Sequence, residues 1–176
     1  AQVKSGLFMA HVRASTGTAT SRNNCHPFTF GRWSFMHNGQ IGGYDRFRRD
    51  ADMLIPDALY SARRGATDSE ALFLVAIAEG LQDDPKGALE RASARFIALA
   101  QEKGTFPYLR MTAALSDGQQ LYAVRYATDD AAPSLYYRWS ESRGGMAVVS
   151  EPLEDDEGDW NAVPAASFCT FAEGRL

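Results

Sequence analysis

Near residue 104 the apolar residues of this chain change period, and few folds accommodate both halves. Before that point Leu72, Phe73, Ala76, Ile77 and Leu81 recur at the three- and four-residue spacing of a helix. Thr67-Asp68-Ser69-Glu70 precedes them as a capping box, in which the threonine and the glutamate each satisfy an otherwise free amide. Asp84-Pro85 opens a second helix with proline at its first position, and Leu89, Ala92, Phe96, Ile97 and Leu99 form its inner face. Gly104 ends it. Beyond lie short strand-like runs at 111–116, 121–127, 135–139, 146–149 and 168–171, with Asp117-Gly118 as a hairpin turn between the first two.

Upstream, residues 6–15 form a mostly apolar run that reads as a buried strand ended by Thr16-Gly17. Residues 21–27 are polar and turn-rich, hence loop. Residues 33–37 read as a second strand, stopped by Asn38-Gly39, and 43–54 as a short helix. Two strands, two helices and a run of strands predict an α+β fold, with helices packed on antiparallel sheet, because strands joined by tight turns must pair antiparallel. A length of 176 residues suits a single domain, and an apolar fraction of 45% is enough for a real core. The chain starts at Ala1 and is in its own core by Gly6, so an N-terminally incomplete domain is expected.

The formal net charge of −4 argues against nucleic acid as a partner, because phosphate binding needs a net basic face. The basic cluster of Arg46, Arg48 and Arg49 is followed by Asp50 and Asp52, as on a solvated helix. No run approaches the roughly 18 apolar residues of a membrane span, and from the start at Ala1 no signal peptide is expected. Cys25 and Cys169 are too few for a disulfide framework, so a reducing, cytoplasmic setting is expected. Cys169 reads as core and Cys25 as a loop cysteine, since the side chain of adjacent His26 points to the opposite face in extended structure. His11, Cys25, His26 and His37 lack standard zinc-ligand spacing, and the acidic stretch 154–159 reads as a solvated turn rather than a calcium loop. No metal and no cofactor is expected.

Four short motifs carry the chemistry: His11-Val-Arg-Ala-Ser-Thr-Gly17, Asn24-Cys-His-Pro27, His37-Asn-Gly39 and Thr67-Asp-Ser-Glu70. Arg13 lies near the end of an apolar run, and a planar guanidinium is the best group for gripping a carboxylate with two hydrogen bonds. Asn38-Gly39 offers a side-chain amide beside a backbone N–H, the parts of an oxyanion hole. Asp68 sits in a first helical turn, where the dipole favours negative charge, and could hold an ammonium group. A cation, an anion and an oxyanion hole together suit a zwitterionic amino acid with a reactive amide, such as glutamine. Each feature alone also has a plain structural use: a turn at Asn38-Gly39, a helix start at Asp68, an internal ion pair at Arg13.

In this order the motifs resemble those of the class II glutamine amidotransferases, of the N-terminal-nucleophile hydrolase fold. The likeness is strongest to the stand-alone branch that includes γ-glutamyl hydrolases. It runs from the His-x-Arg-x-x-Thr strand through Ser150-Glu-Pro-Leu153. The resemblance implies a four-layer αββα sandwich of antiparallel sheets flanked by helices. It implies that Arg13 holds the substrate α-carboxylate and Asp68 its α-amino group, that Asn38 and Gly39 form the oxyanion hole, and that Thr16 lies near the pocket. His26 and His37 would support its loops. Enzymes of this family use the thiol of an N-terminal Cys as nucleophile and its α-amino group as base. Ala1 stands first here, so this chain alone is expected to be inactive until joined to a segment bearing that cysteine. A non-catalytic module that retains the pocket is the alternative. Expected partners are glutamine or a γ-glutamyl substrate, and, for the protein itself, the missing N-terminal segment or a second copy.

Overall fold

The computed structural model describes residues 5–12, 21–141, 144–152 and 160–171. Eight strands and four helices are formed there: β1 (Phe28–Phe30), β2 (Trp33–Gln40), α1 (Arg48–Asp52), α2 (Asp57–Tyr60), α3 (Asp68–Ala78), α4 (Pro85–Glu102), β3 (Arg110–Ser116), β4 (Leu121–Ala127), β5 (Tyr136–Ser140), β6 (Gly145–Val149), β7 (Asn161–Ala162) and β8 (Ser167–Phe171). Short 3₁₀ turns at Arg22–Asn24 and Tyr44–Arg46 complete the set. The expected α+β architecture is present, and every strand pairing is antiparallel.

One sheet has the order β1-β2-β3-β4-β8 and a second the order β6-β5-β7. Alternation along the strands decides which face each residue serves. Tyr122 and Val124 of β4 join Phe35, Met111, Ala113 and Leu115 in the main core, beneath α3 and α4. Ala123 and Phe171 point the other way, into a smaller core with Leu135 and Val163, and Tyr137, Met146 and Val148 of the second sheet pack around it. The described residues thus form the helix, sheet and sheet layers of the expected sandwich. Cys169 is partly buried in the second core.

Helix α3 is buried on almost every side, from Ser69 to Ile77, because it lies between the sheet and its neighbouring helices. The Phe73 ring lies parallel to that of Phe35 on β2, 5.4 Å between centroids. Thr67 Oγ1 caps the helix by accepting the Glu70 amide at 3.2 Å. The other half of the expected box is replaced: the loop before α3 folds back, and the Glu70 carboxylate accepts from the Arg64 and Gly65 amides at 2.8 and 2.7 Å. Helix α4 begins as its sequence indicates, with Asp84 accepting from Gly87 N–H at 2.9 Å and Pro85 at the first position.

Three local readings are corrected. Residues 5–12 lie outside any strand; Leu7, Met9 and His11 are half-buried, whereas Phe8 and Val12 are 80% and 96% exposed. The run is apolar on both faces, but only one of them is covered. Residues 13–20 lie outside the described residues. Asn38-Gly39 does not stop its strand: β2 pairs with β3 through Gly39↔Met111 and Gln40↔Arg110. The single helix expected over 43–54 is a 3₁₀ turn followed by the short α1, with the break at Phe47, whose backbone is not helical. Asp117-Gly118 does turn the chain between β3 and β4, through a four-residue loop in which Asp117 Oδ1 accepts from the Gln119 and Gln120 amides.

Candidate functional site

The end of β2 and the start of α3 meet at one edge of the larger sheet. Asn38 and Gly39 are exposed there, while the adjacent His37 is buried at 3% exposure. Nε2 of His37 lies 3.3 Å from the Arg110 carbonyl, and Nδ1 lies 2.9 Å from Ser69 Oγ. A carbonyl can only accept, so Nε2 carries the proton and Nδ1 accepts from the Ser69 hydroxyl. Burial lowers the His37 pKa, with the Asp68 charge and the Arg110 carbonyl opposing more weakly. The neutral ring is therefore a fixed brace between β2, β3 and α3.

Asp68 supplies a second brace. Its Oδ2 accepts from Ile41 N–H at 3.0 Å and its Oδ1 from Ser69 N–H at 2.8 Å. Ser69 Oγ also lies 3.3 Å from Oδ1, but its one proton is committed to His37. A carboxylate offers about four acceptor positions, so roughly two on Asp68 stay open. Asp68 and the Asn38-Gly39 pair are tied together by the Ile41 contact and by the His37–Ser69 bond.

Gly39 is required by backbone packing at this point. A Cβ there would stand 2.0 Å from the Arg110 carbonyl oxygen and 2.7 Å from His37 Nε2, and its φ of +155° disfavours other residues. The Arg110 side chain forks onto Asp129, with Nη2 to Oδ2 at 2.6 Å and Nε to Oδ2 at 2.9 Å. That hydrogen bond holds the Asp129 carboxyl below its usual range. Thr112 Oγ1 donates to the Asn38 carbonyl at 3.0 Å, fixing the backbone from the β3 side.

Arg13 and Thr16 lie outside the described residues. The His26 ring packs between those of His11 and Phe28, with centroids 4.4 and 4.6 Å away. Cys25 is exposed, and its thiol donates to the Ser21 carbonyl at 3.4 Å. Among the described residues no group of three or more His, Cys, Asp or Glu is placed to hold a metal ion, and no helix is long and apolar enough to cross a membrane.

The residues that sequence reasoning missed are those that hold the site in place. Ser69 stood inside a quoted motif only as a spacer. Arg63, whose side chain is buried against Asp52, Glu70 and Tyr44, stood next to Arg64 and Gly65 in a polar stretch, where a solvated pair is the ordinary expectation. Asn24, at the head of another motif, accepts from Ala66 N–H at 2.8 Å through Oδ1 and pins the loop before α3. Nothing in the local sequence signals any of these burials.

Comparison with known proteins gives a consistent picture. The family model of class-II glutamine amidotransferases matches residues 1–133. A probable glutamine amidotransferase of Saccharomyces cerevisiae, DUG3, is 35% identical over 214 residues, which cover 99% of this chain and 59% of the yeast protein. The chain therefore spans about three fifths of that relative's length. A glutamine aminotransferase class-II domain protein from Silicibacter pomeroyi superimposes with a TM-score of 0.83 at 56% identity, over 86% of this chain and 68% of that one. A predicted glutamine amidotransferase from Pseudomonas aeruginosa shares the fold, with a TM-score of 0.55 at 20% identity over 87% of this chain and 64% of that one. By sequence and by fold, the chain belongs to the class-II glutamine amidotransferases.

Proposed function

We propose that this chain carries the substrate pocket of an amidohydrolase acting on the γ-amide of glutamine or of a γ-glutamyl compound. The observation that supports this reading best is the junction of β2 and α3, where the Asp68–Ile41 and His37–Ser69 contacts set Asn38, Gly39 and Asp68 side by side. In this reading the Asp68 carboxylate uses its open acceptor positions for the substrate α-ammonium, and Arg13 grips the α-carboxylate. The Asn38 amide and the Gly39 N–H receive the negative charge that develops on the γ-carbonyl oxygen. The same reading assigns Thr16 to the pocket, and gives His26 and His37 the support of its loops without moving protons.

In this reading the nucleophile is an N-terminal cysteine, a role given to neither Cys25 nor Cys169, the two cysteines of these 176 residues. Its thiolate attacks the γ-carbonyl carbon and displaces ammonia, or an amine from a γ-glutamyl compound, which takes up the thiol proton through the α-amino group. Water then cleaves the γ-glutamyl thioester to glutamate and restores the thiol.

The reading is tested by assaying ammonia release from L-glutamine, and glutamate release from γ-glutamyl dipeptides, in two forms of the protein. One is the chain as it stands and the other is the chain preceded by a segment that starts with Cys. Turnover only in the second form is expected. Substrate binding with no turnover in either form would favour the non-catalytic module instead.

A further inference from the structure

We propose that Arg63 is a positioning residue that sets the distance between the Asn38-Gly39 strand end and Asp68. The inference rests on the reading above, in which those groups hold one substrate between them.

The Arg63 side chain is 4% exposed, and all three arms of its guanidinium are used. Nε donates to Asp52 Oδ1 on α1 at 3.0 Å, Nη1 to Glu70 Oε2 on α3 at 2.7 Å, and Nη2 to the Tyr44 hydroxyl at 2.9 Å. Burial pushes the Tyr44 hydroxyl well above its usual pKa, so it stays a neutral partner for the guanidinium. Two of these contacts flank the site from both sides. Glu70 is two residues beyond Asp68 in the first turn of α3. Tyr44 is three residues beyond Ile41, whose amide Asp68 accepts. One rigid, planar group therefore grips both chain segments that the Asp68–Ile41 bond joins. A guanidinium is suited to this because its donors diverge at fixed angles, whereas an ammonium on a flexible stem fixes no such spacing.

The loop that carries Arg63 is itself secured. Glu70 accepts from the Arg64 and Gly65 amides, and Asn24 Oδ1 accepts from that of Ala66. The guanidinium cannot shift along its own backbone without breaking these bonds. A displaced α3 start would move Asp68 and would leave Asn38 and Gly39, held by β3, where they are. The consequence is selective: recognition of the α-ammonium group is lost before recognition of the rest of the substrate.

The test compares binding of L-glutamine with that of glutaramate, which has the same γ-amide and carboxylate but no α-amino group. Both are titrated by calorimetry into the chain preceded by a segment in which Ala replaces the initial Cys, so that nothing turns over, and into its Arg63→Lys variant, with thermal melts of each. The wild-type chain is expected to favour glutamine by tenfold or more. Arg63→Lys is expected to remain folded and to lose most of that preference while its glutaramate affinity stays within about twofold. If the folded Arg63→Lys protein keeps the wild-type preference, the Arg63 assignment is wrong. If it does not fold, Tyr44→Phe, which removes one acceptor only, is expected to reduce the preference several-fold, and an unchanged preference overturns the assignment. If the wild-type chain binds neither ligand or binds both equally, the amidohydrolase reading itself fails and the Arg63 assignment with it.

Discussion

His37 Nδ1 lies 2.9 Å from Ser69 Oγ, and this buried contact joins the strand that carries Asn38 and Gly39 to the helix that begins at Asp68. The two residues are far apart in sequence, and each belongs to one of the two motifs that supply Asn38, Gly39 and Asp68. Together with the Asp68–Ile41 bond, the pair makes the relative placement of those motifs a property of the folded core and not of a surface loop.

The first prediction concerns the protonation of His37. Its pKa is held below the ordinary 6.5, chiefly by burial. Below about pH 6.5 the unfolded chain therefore binds a proton that the folded chain refuses, and stability falls with pH until the folded imidazole also titrates. The Asp129 carboxyl, held down by its hydrogen bond from Arg110, acts in the same sense only below its ordinary value of 3.8. His37→Gln should flatten the fall in melting temperature between about pH 6.5 and pH 4.5 relative to wild type. Nitrogen chemical shifts at pH 7.5 should show the Nε2–H tautomer, and a ring protonated on both nitrogens would refute the brace.

A second prediction follows from the close approach of β3 to Gly39. In Gly39→Ala the new methyl group would stand against the Arg110 carbonyl, which is backbone and cannot rotate aside. A loss of about 1–3 kcal/mol is expected from overpacking, together with strain at a positive φ. Urea denaturation measures it. A variant as stable as wild type would mean that the two strands are further apart than described.

How much of this was legible beforehand depends on the range of the forces concerned. Helices α3 and α4 carry their own signals in Thr67, Asp84 and Pro85, and the structure places all three at helix starts. The strands after Gly104 were legible from local apolar runs, though not that β8 would return from the second sheet to pair with β4 in the first. Phe28–Phe30 was hidden in three residues, too few to show a period. At the site, Asp68 and the Asn38-Gly39 pair could be nominated because their residue types suit a substrate's charges. Ser69, Arg63 and Asn24 could not, because their importance lies in partners at separations of 32, 19 and 42 residues. The strand expected at 6–15 shows the opposite limit: an apolar run demands covering, but the run does not say which neighbour supplies it.

A third prediction sets Cys25 apart from catalysis. Its thiol is exposed and bonded to the Ser21 carbonyl, and the neighbouring His26 ring packs against His11 and Phe28. Cys25→Ser should leave the melting temperature within about 2 °C, since surface substitutions are usually within about ±0.5 kcal/mol. In the form of the protein preceded by a Cys-initiated segment, it should also leave glutaminase activity unchanged. Loss of activity there would move the nucleophile to Cys25.

The role proposed for Asn38 and Gly39 is to stabilise charge on the γ-carbonyl oxygen of a glutamine-like substrate. It is tested most directly by the kinetics of Asn38→Ala in the chain preceded by a Cys-initiated segment, with ammonia release from L-glutamine as the readout. Turnover is predicted to fall by roughly 100-fold or more, with a much smaller change in the Michaelis constant, as when an oxyanion-hole donor is removed. Turnover within a few-fold of wild type, in a variant that melts normally, would rule that role out.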